Sequence, residues 1–200
     1  IQRIYSLIPS FLENKKKRVV IKDIEDIKGK RFSNYRDEFD YLIQAGVTLE
    51  VKAISNPIFP LIESVGKNLL KLFFNDVGLL TNVLYRNNIM AILNDDNCVN
   101  LGSVYESVVA QELKSHCKNL FYYDNKTRGE VDYIIDDYDK LCILPIEVKS
   151  GKDYYVHTAL NHFVSNEEKK IKKALVLSNE REVIVKDKIT YLPIYYVMFL

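Results

Sequence analysis

GEVDYIIDDYDKLCILPIEVKSG, residues 129–151, is the stretch whose reading decides the fold. Val131–Ile135 and Leu141–Val148 are apolar runs, and the DDYDK between them predicts a solvated turn, because clustered aspartates sit more cheaply in a loop than inside a sheet. The two runs are therefore expected to form hairpin-joined strands. Side chains alternate faces along a strand, so Glu147 and Lys149 should emerge together while Ile146 and Val148 face the other way. Asp132, on the paired strand, should converge with them. Two carboxylates ~4 Å apart at an effective dielectric of ~20 repel by ~4 kcal/mol. A divalent cation reverses that sign, so the pattern points to a metal site.

Outward from this hairpin the chain divides into two halves. Ile1–Glu13 has helical periodicity and Ile21–Ile27 fits a short second helix. Phe32–Ala45 is the firmest helix, with Phe32, Tyr35, Phe39, Leu42 and Ile43 on one stripe, Ser33 as N-cap and Gly46 as stop. Val47–Ile54 alternates and is β-branched, hence a strand; Leu69–Phe74 returns as another, and Val77–Leu93 is mostly helical. Three helices followed by two strands is the order of a winged-helix module. NDDNCVN, residues 94–100, marks the expected boundary. After it come a helix over Gly102–His116, a strand over Asn119–Tyr123, the hairpin, a helix over Tyr154–Asn166, and strands over Lys173–Ser178 and Ile189–Tyr196. The expected fold is α/β, with a winged-helix-like segment over residues 1–96 and a mixed-sheet α/β domain over 97–200.

Composition narrows the function. The formal net charge is +1, with 14 basic and 12 acidic residues in the first hundred and 14 and 15 in the second. Neither half has the bulk charge of a nucleic-acid-binding domain, so nucleic acid is expected as a weakly held partner. Cys98, Cys117 and Cys142 are odd in number and lack Cys-x-x-Cys spacing, which fits reduced thiols and a cytoplasmic location. The longest apolar stretch, Ile189–Leu200, is too short to span a bilayer, and no membrane partner is expected. The chain opens at Ile1 inside an amphipathic pattern, which suggests a fragment with further sequence upstream.

The order helix with Glu, strand, Asp strand, Glu-x-Lys strand, helix, strand resembles the restriction-endonuclease-like, or PD-(D/E)XK, superfamily. That resemblance implies a nuclease-fold domain holding Mg²⁺ or Mn²⁺. It maps onto Glu106 (GSVYE), Asp132 (GEVD), Glu147 and Lys149 (IEVK), with Val131 where the namesake proline would stand. A resemblance over nearly the whole chain rests on YRDEFDYLIQAGV, LFFNDVGLL, GSVYESVVAQEL, RGEVDYII and PIEVKSGK. These are similar to the C-terminal region of a bacterial and archaeal family of AAA-type ATPases. It implies a P-loop ATPase domain upstream, and since this chain has no GxxxxGK[ST], ATP belongs to that domain.

The same resemblance assigns Asp132, Glu147 and Glu106 to the metal, and Lys149 to orienting water or balancing phosphoryl charge. Two helix acids compete: Glu106 lies at the border of the apolar face formed by Leu101, Val104, Tyr105, Val108 and Val109, whereas Glu112 lies nearer its middle. Arg128 and Lys152 flank the hairpin and fit phosphate contacts. His157 and His162 are not at zinc-ligand spacing and are expected to pack or lie on the surface. Asp37, Glu38 and Asp40 make the Phe32–Ala45 helix a poor reader of DNA. It is expected to make protein contacts, for instance with the upstream ATPase domain. Lys15–Arg18 is the best local basic patch. Against the nuclease stands a noncatalytic module that binds nucleic acid or protein under ATPase control.

Overall fold

The computed structural model describes all residues except 15–16, 67–68, 87–89, 91–92, 95–99 and 167–170. Lys15, Lys16, Cys98 and most of the expected 94–100 boundary thus lie outside the described residues. The chain is a mixed α/β fold that separates into two compact units, Ile1–Val51 with Asn68–Gln111, and Lys52–Lys67 with Glu112–Leu200. The units interleave along the sequence, which differs from a single cut between residues 96 and 97.

In the first unit, α1 (Gln2–Glu13) buries Ile4, Ile8, Phe11 and Leu12, one stripe at helical spacing. It packs on β2 (Leu70–Phe74), where the Tyr5 and Phe74 rings lie 5.0 Å apart. A short α2 (Ile21–Ile24) follows, then α3 (Arg36–Gln44), entered through a 3-10 turn at Phe32–Tyr35. Gly46, with φ +69°, turns the chain out of α3, a backbone position that side chains with a Cβ resist. It leads into β1 (Thr48–Ile54), whose first half belongs to this unit beside β2. Asp76 caps α4 (Val77–Tyr85) by accepting the Gly78 N–H at 2.7 Å. Of α5 (Gly102–Ser115), the part through Gln111 belongs here.

The second unit carries the hairpin. The end of β1 pairs in parallel with β3 (Phe121–Asn125), which pairs antiparallel with β4 (Gly129–Asp137), itself antiparallel to β5 (Cys142–Lys149). Beyond β5 come β6 (Ala174–Ser178) and β8 (Ile189–Pro193), both parallel, and β7 (Ile184–Lys186) closes antiparallel on β8. Helix α6 (Thr158–Val164) lays Leu160, Phe163 and Val164 onto a core of Tyr123, Val131, Ile134, Ile143 and Val176. Gly129 permits that approach: its φ is +88°, and a Cβ there would come 2.9 Å from Ala159 of α6.

Several boundaries differ from the sequence expectation. Strand β4 runs through Asp136 and Asp137, so DDYDK is not wholly a turn. Asp136 is buried and accepts the Leu61 N–H at 3.1 Å, capping a 3-10 turn at Leu61–Ser64. Burial pushes its carboxyl pKa up, against that hydrogen bond. The expected helix over Tyr154–Asn166 forms only at Thr158–Val164; before it, the Val156 N–H closes a turn on Asp153. The last strand ends at Pro193, which lacks a ladder donor, and Ile194–Phe199 coils into a 3-10 helix.

Candidate functional site

Strand β5 builds the site. Glu147 and Lys149, two residues apart, share a face and form an ion pair, Nζ to Oε1 2.8 Å. Glu147 is buried and Lys149 partly so. In register, Glu147 stands beside Val176 of β6, and Val176 beside Tyr191 of β8. The three side chains form a row on the face that carries the α6 core.

Asp132 reaches the site by an irregularity. Between the pairs Phe121–Ile134 and Tyr123–Val131, β3 advances two residues while β4 advances three, so β4 holds a bulge at Asp132–Tyr133. Bulges re-aim side chains and interrupt pairing. The β4–β5 ladder accordingly starts at Tyr133–Ile146, and one residue beyond it the Asp132 carboxylate accepts the Val148 N–H at 2.8 Å. A side chain replaces the missing ladder bond and holds the Asp132 carboxylate at the peptide that joins Glu147 to Val148.

Glu106, the expected helix acid, is the buried one of the two candidates, whereas Glu112 is half-exposed. It belongs to the first unit, where it pairs with Lys17 and stands 3.9 Å from the buried Lys71 ammonium. Asp132, Glu147 and Lys149 belong to the second. Among the described residues, no group of three or more His, Cys, Asp and Glu side chains could hold a metal ion. Arg128 and Lys152 are exposed at the two ends of the hairpin, and the Arg128 N–H donates to Asn125 Oδ1 at 3.1 Å.

His157, expected either to pack or to lie on the surface, is buried and also meets this site. It precedes α6, and its Nε2 lies 2.8 Å from the Tyr191 hydroxyl. Burial holds its pKa below the usual imidazole value, and the nearby Lys149 ammonium lowers it further. Beside Tyr191 stand Tyr154 and Tyr155, whose hydroxyls are 2.6 Å apart; that bond, with burial, pushes the Tyr154 pKa up to about 12. Nothing in local spacing reveals this cluster, because it joins a turn to a strand more than thirty residues later; the run of tyrosines was the one visible signal.

Residues 101–197 match the family model described as Domain of unknown function (DUF4143). No curated protein and no solved structure matches the chain. The matched region covers just under half of the chain and contains every site residue named above except Lys17 and Lys71. Among the described residues, no helix is long and apolar enough to cross a membrane. Cys117 and Cys142 are free thiols.

Proposed function

We propose that the DUF4143 region is a nuclease-like module, acting with a divalent cation on the phosphodiesters of nucleic acid, and that it is carried by an AAA-type ATPase whose ATP site lies in an upstream domain. The observation that carries this reading is the Glu147–Lys149 pair on β5 with Asp132 held at the adjoining bulge. The donor set fits Mg²⁺ or Mn²⁺: Mg²⁺ keeps several waters and takes one or two carboxylates, here Asp132 and Glu147. When bound, such an ion polarises a phosphoryl oxygen and lowers the pKa of bound water. In this reading Lys149 offsets the charge that grows on the phosphoryl group. Arg128 and Lys152 extend phosphate contacts to the ends of the hairpin. Glu106 faces two ammonium groups, one of them almost fully buried, where Glu147 faces the partly exposed Lys149, so Glu106 is left out of the shell and given a structural role.

A second reading, a noncatalytic module that binds nucleic acid or protein, draws support from two observations. No three-ligand metal group occurs among the described residues, and the net charge of +1 offers little hold on a polyanion. One experiment separates them. Cleavage of labelled single-stranded, duplex and branched DNA and RNA is followed with Mg²⁺ and with Mn²⁺, and melting is recorded with and without each ion. At a hundredfold excess over its dissociation constant a cation adds ~2.7 kcal/mol, roughly a 5 to 11 °C rise in Tm for a chain of this size. Glu147→Gln should remove the rise. Lys149→Ala should keep most of it while slowing cleavage by ~10²- to 10⁴-fold. No cleavage of any substrate, or equal rates for wild type and Lys149→Ala, would give the site to the binding module.

A further inference from the structure

Tyr155 is 41% exposed, yet its ring is fixed on several sides. The Tyr154 ring centroid lies 4.0 Å away and that of Tyr191 5.0 Å away, and the hydroxyls of Tyr154 and Tyr155 are hydrogen-bonded. Tyr191 is in turn bonded to the buried His157. Over the Tyr155 ring sits the ammonium of Lys186, 4.3 Å from the centroid, on the exposed edge strand β7. An exposed aromatic held this firmly loses little entropy when another flat group stacks on it.

We propose that Tyr155 is a stacking platform for an unpaired nucleobase, with Lys186 as the phosphate contact beside it, so that the nucleic acid held here is single-stranded. The exchange is favourable by magnitude. An ammonium over an exposed ring is worth ~0.5–1 kcal/mol, whereas a base stacked on an aromatic side chain is worth ~1–3 kcal/mol. The base displaces the flexible lysine, and the freed ammonium meets the adjoining phosphate. Tyr191, which the Tyr155 ring touches, stands on β8, two strand spacings or ~10 Å from Glu147 on β5, so the platform belongs to the same stretch of the sheet as the Glu147–Lys149 pair. Glu180 and Glu182 lie near enough to act on Tyr154 and offset part of the Lys186 charge, so binding should be modest, and its lysine contact makes it salt-sensitive.

The proposal deepens the nucleic-acid reading above, and its test omits metal so that the two fail separately. Anisotropy of labelled oligo-dT and oligo-U of about 12 nucleotides, within the ~4–16 that single-strand sites span, is measured with the 200-residue chain in EDTA at low salt. A duplex of the same length serves as competitor. Wild type should bind the single strands more tightly than the duplex. Tyr155→Ala should weaken binding by about 5- to 150-fold, Tyr155→Phe should retain it, and Lys186→Gln should flatten the salt dependence by about one contact. Unfolding curves confirm that each variant folds. Absence of single-strand binding by wild type, equal binding by Tyr155→Ala, or a loss in Tyr155→Phe as large as in the alanine variant overturns the platform. An unchanged salt slope in Lys186→Gln overturns the lysine exchange. Platform binding without metal-dependent cleavage would retire the nuclease and leave the platform standing.

Discussion

Glu106 shows how one carboxylate can satisfy two incompatible descriptions. Its sequence position suits a half-buried metal ligand, but in the fold it faces Lys17 and the almost fully buried Lys71. A cation brought to that carboxylate would compete with ammonium groups already there. Removing its charge, by contrast, leaves Lys71 in a low-dielectric site with less compensation. Breaking a buried pair from one side costs several kcal/mol, and Lys17 is partly solvated. We therefore expect Glu106→Gln to lower stability in urea by about 3 kcal/mol while leaving any metal-induced rise in Tm intact. Wild-type stability combined with a lost metal response would make Glu106 a ligand instead. Sequence narrowed the helix acid to two residues but could not see the lysines, which come from a loop and from β2.

The elements around β5 carry a pH dependence whose sign follows from His157. Its folded pKa is lowered, by burial first and by Lys149 second, while Tyr191 and Asn161 are its other polar neighbours. The neutral ring is the form the fold accepts. Its contribution to stability is fully present above the unfolded value of 6.5 and is lost as pH falls through that value toward the lower folded one. Melting temperature should thus drop between about pH 7 and pH 5, and His157→Gln should shrink that drop while costing stability at pH 7. A variant with the same pH slope as wild type would place the acid sensitivity elsewhere. The β4–β5 hairpin was legible because alternation of apolar and polar residues has only one register that buries its core. The bulge at Asp132 was not, since an extra residue shows only against a partner strand. Asp136 was misplaced for the same reason: a buried acid is tolerable when a distant N–H, that of Leu61, meets it. Strand β7 went unseen because three residues are too few for a period, although the positive φ of Asp187 in its turn is a familiar hairpin device.

At the scale of the whole chain, the sequence boundary near residue 96 and the DUF4143 match beginning at residue 101 both suggest a separable C-terminal piece. The contacts argue otherwise. The second unit takes Lys52–Lys67 from far upstream, and with it Ile54 and Leu61, both fully buried in its core cluster. Fully burying one such side chain is worth ~1.5–3 kcal/mol, so the two together approach the lower end of the ~5–15 kcal/mol that holds a domain folded. The same segment supplies the parallel partner of β3 and the N–H that meets Asp136. Without it, β3 becomes an open edge, which invites pairing with other chains, and the Asp136 carboxylate loses its cap. A fragment of residues 97–200 should accordingly unfold at lower urea than the full chain and self-associate in sizing experiments. A fragment of residues 47–200, which restores β1 and the Leu61 turn, should recover much of the loss. Equal urea midpoints for the 97–200 fragment and the full chain would show that the upstream segment decorates the second unit rather than completing it.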